Sequence, residues 1–268
     1  MLSIKEQQEI LLEIMKQFHD YCGENHLRYC LACGTLLGAI RHKGFIPWDN
    51  DVDIYMPRPD YERFFRMTQE KPIADHLLCT NYRTDPTNHY VVIRIYDTRT
   101  KVFMPYLREQ PEKMGIFVDI FAIDGIGEDR QKDWMNRFRL RFNQRLQSVD
   151  LYGQKERSGL KQKLKYLTHY VFPNRNNIHE YRIDQLSMKY DYEHHEKVLD
   201  VSDYLHFDTY LTHEDFDHPI LTDFEQYQFY IPQRYHEYLT DGYGDYMQLP
   251  PESEREVHDF VAEWRDEK

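Results

Sequence analysis

The sequence has no long hydrophobic run, and its N-terminus lacks the features of an export signal. No window of the 268 residues approaches the roughly 20 consecutive apolar residues needed to span a bilayer. The first residues, MLSIKEQQEILLEIMKQF, carry neither the basic start nor the apolar block of a secretory signal. We therefore expect a cytoplasmic protein.

Positive charge is also scarce. The chain has 34 Lys and Arg residues against 46 Asp and Glu residues, a net charge of −12. Because non-specific nucleic-acid binders need a cationic face, this balance argues against nucleic acid as a partner.

Cysteine is limited to four residues, of which Cys30 and Cys33 form a C-x-x-C. Such a pair is compatible with a zinc or redox site. However, it lies within the apolar run YCLACGTLL, and no second pair follows at zinc-finger spacing. The pattern favours ordinary buried cysteines.

The residues that are present indicate a globular α+β core over residues 1–125. Apolar residues make up 41% of the chain and aromatic residues 15%. Hydrophobic periodicity predicts helices over 4–24 and 60–70 and a short helix capped by Thr35. Strands are predicted over 28–33, 52–56, 77–82, 90–97, 100–105 and 115–125.

The rest of the chain divides into a helical insert, 126–200, and a C-terminal segment, 201–268, that packs back on the core and completes the active site. In the insert we predict helices over 134–146, 160–172 and 177–190. In the C-terminal segment we predict a strand over 225–232, a helix over 233–244, and a last helix carrying Arg255 and His258.

Three aspartates, Asp49, Asp51 and Asp53, lie close together at the start of a predicted strand. Side chains on a strand alternate between faces, so Asp51 and Asp53 point the same way while Val52 and Ile54 face the core. Two such carboxylates suit Mg²⁺, which takes one or two carboxylates plus substrate phosphates. The alternative is a solvated acidic edge.

Asp119 repeats this feature within the apolar strand FVDIF. An aspartate inside an apolar strand is costly to bury without a partner. A third carboxylate from an adjacent strand would complete a metal-dependent phosphoryl-transfer site, and this favours metal binding over the acidic edge.

Gly34 and Thr35 open a short helix ahead of the aspartates. A helix N-terminus with a small residue lets backbone N–H groups approach a phosphate. Arg41 and Lys43 follow that helix, and they either neutralise phosphate charge or cap the helix C-terminus.

Three motifs in order, GTLLGAIRHKGFIPWDNDVDI, VDIFAIDG and YGDYMQLPPESEREVH, resemble those of the LicD family, which includes fukutin-related proteins. The arrangement of Gly-Thr, a helix, Asp-x-Asp on a strand and a third strand aspartate also resembles the wider nucleotidyltransferase superfamily, and this implies a nucleotidyltransferase-like mixed sheet. One departure is Asn50, which interrupts an acidic triplet that the family usually shows unbroken. It leaves open whether Asp49 is a ligand, a neighbour of a ligand or a loop residue.

The resemblance implies an Mg²⁺- or Mn²⁺-dependent phosphotransferase that moves phosphocholine from CDP-choline to a hydroxyl of a teichoic acid or other surface-glycan precursor. Asp51, Asp53 and Asp119 would be the catalytic residues and metal ligands. The implied substrate-binding residues are Gly34, Thr35, Arg41, Lys43, Trp48, Asp49, Arg255 and His258.

A choline group would be held by aromatic faces. The candidates are Trp48, Tyr55, Phe121, Tyr230, Tyr235, Tyr243 and Tyr246. Alternatives are a CDP-ribitol or CDP-glycerol transferase, a true nucleotidyltransferase, or an inactive binding or scaffold relative.

A lipid-linked glycan acceptor would bring the protein transiently to the inner face of the membrane. The basic stretch 129–175 is then the candidate contact, or else a solvated helical pair.

Overall fold

The computed structural model describes residues 1–127, 133–152, 171–202, 210–255 and 260–265. Its helices are α1 (Ile4–Glu24), α2 (Cys33–Arg41), α3 (Arg58–Glu70), α4 (Trp134–Leu151), α5 (Ile178–Ser187), α6 (His213–Asp217) and α7 (Tyr235–Tyr243). Its strands are β1 (Cys30–Leu31), β2 (Asp53–Pro57), β3 (Leu77–Thr80), β4 (Ile93–Asp97), β5 (Thr100–Phe103), β6 (Ile116–Gly125), β7 (Lys197–Leu199), β8 (Leu211–Thr212), β9 (Ile220–Phe224), β10 (Tyr227–Ile231) and β11 (Val261–Trp264).

A mixed, seven-stranded sheet forms the centre of the described structure, in the order β1-β2-β6-β4-β3, with β7 and β8 continuing from the end of β6. Strands β2 and β6 are parallel, and β4 is antiparallel to β6. The α+β, nucleotidyltransferase-like fold class is confirmed. The parallel pair places Asp53 directly opposite Asp119.

Helix α1 has the predicted bounds and packs its apolar face on the sheet. Ile14, Met15 and Phe18 are fully buried, as the three- and four-residue spacing requires. Ser3 and Glu6 form a capping box at its start, with the Glu6 backbone N–H donating to the Ser3 hydroxyl.

The first strand and the helix after it begin and end differently from the prediction. The strand predicted over 28–33 contains only the two residues of β1, and α2 begins at Cys33 with Ala32 as its N-cap. Thr35 is therefore not the cap. It is buried in the first turn, and its hydroxyl accepts a hydrogen bond from the Asp53 backbone N–H at 2.9 Å.

The insert is helical where it is described. Helices α4 and α5 confirm two of the three predicted helices, whereas residues 153–170, which hold most of the third, lie outside the described residues. Arg58 joins α5 to the core, because its guanidinium donates to Asp124 at the end of β6 and to Asp184 of α5.

The C-terminal segment packs back on the core, as predicted. Strand β11 pairs with β5, and the Leu2 backbone N–H donates to the Ala262 carbonyl. The prediction of a last helix through Arg255 is wrong, because a three-residue 3-10 helix ends at Glu254 and Arg255 is extended. The three-part division at residues 125 and 200 stays a prediction.

Candidate active site

A cavity of about 720 Å³ lies beside the N-terminal turn of α2 and the start of β2. Asp49, Asp51 and Asp53 all contribute to its wall. The segment after α7 closes the opposite side, so the C-terminal third of the chain forms part of the site. The lining residues are Cys33, Gly34, Leu37, Arg41, Ile46, Trp48, Asp49, Asp51, Asp53, Tyr243, Asp245, Tyr246, Gln248, Leu249, Pro250 and Pro251.

Alternation along the chain into β2 places the carboxylates as the sequence predicts. Asp51 and Asp53 face the cavity, whereas Val52 and Ile54 are buried in the core. Asn50 is also buried, and its amide donates to Gln7 Oε1 of α1 at 3.0 Å. The interruption of the acidic triplet therefore falls on the face away from the cavity.

Gly34 allows Asp49 to approach the N-terminal turn of α2. A Cβ at position 34 would lie 3.1 Å from Asp49 Oδ2. No side chain caps this helix at Ala32, and the positive end of its dipole favours a negative group. The phosphate-binding roles of Gly34 and Thr35 stay predictions.

The three carboxylates create a negative field in the cavity. The pKa of the Tyr243 hydroxyl is raised, first by burial and then by Cys33, Asp53, Asp49 and Asp51. A cation in this cavity would be favoured by the same field.

Cys33 lies in the cavity wall and not in the core. Cys22, Cys30 and Cys79 are buried free thiols as predicted, and Cys33 is a free thiol that is only partly buried. Its sulfur lies 3.5 Å from the Tyr55 hydroxyl, and burial followed by the charge of Asp53 raises its pKa. The raised pKa favours the neutral thiol at this position.

Asp119 is held by an arginine that the sequence analysis did not single out. Arg94 of β4 donates from Nε to Asp119 Oδ1 at 2.7 Å and from Nη2 to Oδ2 at 3.1 Å. The guanidinium is buried, with its carbon 3.4 Å from the centre of the Tyr90 ring and 4.2 Å from that of Phe117. The sequence feature that could have identified this residue is an arginine inside the apolar strand YVVIRIYD.

The metal triad of Asp51, Asp53 and Asp119 stays a prediction. Asp119 is opposite Asp53 in the sheet but lines a second cavity, together with Arg94. Within the described ranges, no three His, Cys, Asp or Glu side chains are grouped so as to hold a metal ion. Asp51 and Asp53 alone still fit Mg²⁺, which commonly takes two carboxylates beside substrate phosphates.

Two of the predicted basic residues lie at the first cavity. Arg41 is in its wall and donates to the Tyr246 carbonyl at 3.0 Å. The Arg255 guanidinium lies over the ring of Trp48, 4.5 Å from the ring centre. Lys43 is exposed and not among the lining residues; its carbonyl accepts from the Glu225 N–H. His258 lies outside the described residues.

The aromatic candidates divide by location. Trp48, Tyr243 and Tyr246 line the first cavity, and Phe121 lines the second. Tyr55 is buried, and its hydroxyl is hydrogen-bonded to that of Tyr238. Tyr230 and Tyr235 pack against the core. Asp245 also lines the first cavity; the sequence analysis quoted its YGD motif without assigning it a role.

Carboxylates on neighbouring parallel strands, next to a helix N-terminus, are an arrangement typical of the nucleotidyltransferase-like phosphotransferase class. Comparison with known families narrows the class. The family model described as LicD/FKTN/FKRP, nucleotidyltransferase domain, matches residues 26–146, which include β2, β6 and the aspartates. Together with a full-length relative, 35% identical over 96% of the chain, this match shows that the chain belongs to the LicD family.

Individual relatives agree with this assignment. The chain is 35% identical over 271 residues to the lipopolysaccharide cholinephosphotransferase LicD of Haemophilus influenzae, and the match covers 96% of each chain. It is 43% identical over 54 residues to an uncharacterised protein of Rickettsia typhi, covering 20% of this chain and 18% of that one. An uncharacterised protein of Rickettsia prowazekii is 44% identical over 50 residues, covering 19% of each chain.

Among the helices that the structure describes, none combines the length and apolar character needed to cross a bilayer.

Proposed function

We propose that this protein transfers phosphocholine from CDP-choline to a hydroxyl of a surface-glycan precursor such as a teichoic acid or lipopolysaccharide, in the cytoplasm and with Mg²⁺ or Mn²⁺. The observation that carries the proposal is the pair Asp51 and Asp53 in a cavity next to the N-terminus of α2. The relative from H. influenzae, named as a lipopolysaccharide cholinephosphotransferase, supports the choice of alcohol and acceptor.

The residues around the cavity suit the two ends of such a donor. The backbone N–H groups at the start of α2 favour an anionic pyrophosphate. Arg41 in the wall adds positive charge, and so does Arg255, which lies over the Trp48 ring. Trp48, Tyr243 and Tyr246 offer aromatic faces to a quaternary ammonium group.

Asp51 and Asp53 would hold the divalent ion. When bound, that ion would screen the charge of the pyrophosphate. The acceptor oxygen forms a bond to the phosphorus that carries choline, the bond from that phosphorus to CMP breaks, and the hydroxyl proton passes to a carboxylate of the site. Positioning and charge stabilisation then supply most of the rate.

The experiment is an assay of CMP release and choline transfer with Asp53→Asn. This variant keeps the shape of the side chain but removes a charge, so transfer should fall by about a hundredfold or more while the melting temperature stays close to that of the parent. The matched control is Asp223→Asn, an exposed aspartate of β9 that lies outside the cavity and should leave transfer unchanged.

Transfer by Asp53→Asn at the parent rate would contradict the assignment of the site. Running the assay with CDP-ribitol and CDP-glycerol in parallel tests the choice of choline, because a ribitol or glycerol preference would replace the proposed donor.

A further inference from the structure

A second cavity, of about 470 Å³, has Asp119 in its wall. Asp119 is the cross-strand partner of Asp53, which lines the first cavity. Neighbouring strands lie about 5 Å apart. A group bound at one carboxylate is therefore within reach of a group bound at the other.

Among the residues that the structure describes, the lining of this second cavity is uncharged apart from the ion pair of Asp119 and Arg94. One face of α4 contributes Gln144, Gln147 and Ser148, whose spacing places them on one side of the helix. Aromatic faces and uncharged hydrogen-bonding groups together are the chemistry that recognises a sugar ring, with its apolar C–H faces and its hydroxyl edge. The aromatic residues in the wall are Tyr90, Phe121 and Tyr152.

Two polar atoms at this cavity have no partner within the described part of the chain. Gln144 donates from its amide nitrogen to the Ser202 carbonyl, but its Oε1 is buried and accepts nothing there. Arg94 Nη1 is likewise buried without an acceptor among those residues. A buried polar atom without a hydrogen-bond partner is costly in free energy. We therefore expect both atoms to bind a hydroxyl group of a ligand or a water molecule.

We propose that the second cavity binds the sugar of the acceptor glycan and directs its hydroxyl towards the phosphate held in the first cavity. The inference rests on the proposed function and adds where the acceptor binds. Displacement at phosphorus requires the nucleophile to approach from the side opposite the leaving group. Two adjoining cavities, one at Asp53 and one at Asp119, supply separate places for donor and acceptor.

The test changes the second cavity without touching the first. Tyr152→Ala removes an aromatic face, and Ser148→Trp fills the space beside it. The matched control for Tyr152→Ala is Tyr181→Ala, because Tyr152 and Tyr181 are exposed to 46% and 50%, and Tyr181 is not in the wall of the second cavity. The control for Ser148→Trp is Ser148→Ala.

The acceptor probes are methyl glucoside, methyl galactoside and methyl N-acetylgalactosaminide. We expect Tyr152→Ala and Ser148→Trp to raise KM for the accepted glycoside by about tenfold or more. The KM for CDP-choline and its slow hydrolysis by water should not change. An unchanged acceptor KM in both variants would overturn the inference.

Saturation-transfer NMR with the same glycosides separates this inference from the proposed function, because it needs no turnover. Signals should be transferred with the parent and with Tyr181→Ala and be lost with Ser148→Trp. No signal with the parent, or equal signals with Ser148→Trp, would overturn the inference. A parent that binds a glycoside but never releases CMP would instead overturn the proposed function.

An independent feature is the outward face of α4, which exposes aromatic residues at four-residue spacing. Trp134 and Phe138 are each exposed to 62%, and Phe142 to 37%. Phe142 contacts Phe172 of the segment before α5, with ring centres 5.5 Å apart. Three large aromatic side chains in one solvent-exposed stripe are typical of a contact site.

The exposed charged residues of α4 beside this stripe are arginines, on a chain whose net charge is −12. Arg139, Arg141 and Arg145 of α4 are exposed. A helix with an aromatic stripe flanked by arginines is suited to lie in the interface of a bilayer that contains anionic lipid.

We infer that α4 docks on the surface of an anionic membrane, which would bring the active site to lipid-linked acceptors. The test is co-sedimentation with vesicles of phosphatidylcholine alone or mixed with phosphatidylglycerol. The parent should bind only the mixed vesicles, and Trp134→Ser with Phe138→Ser should abolish binding. Trp264→Ser changes a 52% exposed tryptophan of β11 and is the matched control.

Failure of the parent to bind mixed vesicles, or binding that survives the double substitution, would overturn the membrane inference. Sedimentation velocity tests whether the exposed face of α4 binds a second copy of the chain. A parent dimer that the double substitution dissociates would show that it does, and that the face does not bind a membrane.

Discussion

Single residues at the start of α2 and β2 hold the carboxylates of the first cavity in place. The Thr35 hydroxyl accepts a hydrogen bond from the Asp53 N–H and so fixes the start of β2 against α2. The absence of a side chain at Gly34 lets Asp49 approach the helix. The positions of Asp49 and Asp53 therefore depend on neighbours that carry no charge.

Gly34→Ala tests this dependence. The added methyl group would lie 3.1 Å from Asp49 Oδ2, so the carboxylate must move by a few tenths of an ångström. Alanine also improves helix propensity by about 1 kcal/mol, so the melting temperature should be equal or higher. The Kd for CDP-choline should rise by about tenfold, ~1.4 kcal/mol.

Gly23→Ala in α1 is the matched control, because a Cβ there meets nothing within 4 Å. It should leave the Kd unchanged. Equal Kd values for Gly34→Ala and the parent would show that the approach of Asp49 to α2 is not needed for donor binding.

The pair of Arg94 and Asp119 makes a prediction about stability. Both side chains are largely buried, with 6% and 14% exposed, and removing one partner of a buried ion pair costs about 3 kcal/mol. Arg94→Met should lower the free energy of unfolding by about that amount, measured by urea denaturation. Adding Asp119→Asn should restore part of the loss, since the uncompensated charge is then gone.

A loss below about 0.5 kcal/mol in Arg94→Met, or no recovery in the double variant, would mean that the pair does not stabilise the fold. Asp119 would then be available for a catalytic role without a stability cost.

At the scale of whole elements, α5 is attached to the core through buried charges. Arg58 of α3 bridges Asp124 of β6 and Asp184 of α5. Glu180, on the same helix, lies 3.4 Å from His89, which precedes β4. These contacts hold the insert beside the second cavity.

The pair of His89 and Glu180 predicts a pH dependence. Burial lowers the pKa of His89, but Glu180 and then Asp150 outweigh that effect, and the pKa is raised above 6.5. The charged imidazole thus stabilises the fold fully below pH 6.5, and this contribution is lost as the pH rises through the folded-state pKa.

The measurement is the difference in free energy of unfolding between the parent and His89→Gln across this pH range. The difference should be largest in acid and shrink as the pH rises above 6.5. His194→Gln, at a side chain that is 83% exposed, is the control for replacing a histidine by glutamine. A difference that grows with pH would contradict the assignment.

Elements with a long periodic pattern were predictable, and short ones were not. Helix α1 and strand β6 have clear periodicity and the expected bounds within about two residues. Strands β7, β8 and β11 have two to four residues. They form because a neighbouring strand is present, and this information is not local in the sequence.

At the scale of the whole molecule, the sequence predicted that Asp51 and Asp53 share a face, but not that Asp119 lines a different cavity. Alternation alone was enough to place Asp51 and Asp53 on one face. The pairing of Asp53 with Asp119, and the arginine that holds Asp119, depend on the register between β2, β6 and β4. The division of the site into two cavities follows from that register and from α4.

The central claim, donor binding at the first cavity with a divalent ion, is tested most directly by thermal melting. Parent protein and Asp53→Asn would be melted with CDP-choline, CDP-ribitol, CDP-glycerol or CTP, each with Mg²⁺ or EDTA. A ligand at ~100 times its Kd stabilises by about 2.7 kcal/mol, or roughly 5 to 10 °C for a chain of this size.

The account predicts a shift of the parent with CDP-choline and Mg²⁺ that EDTA removes and that Asp53→Asn does not show. No shift with any of the four nucleotides, or the same shift in Asp53→Asn, would contradict it.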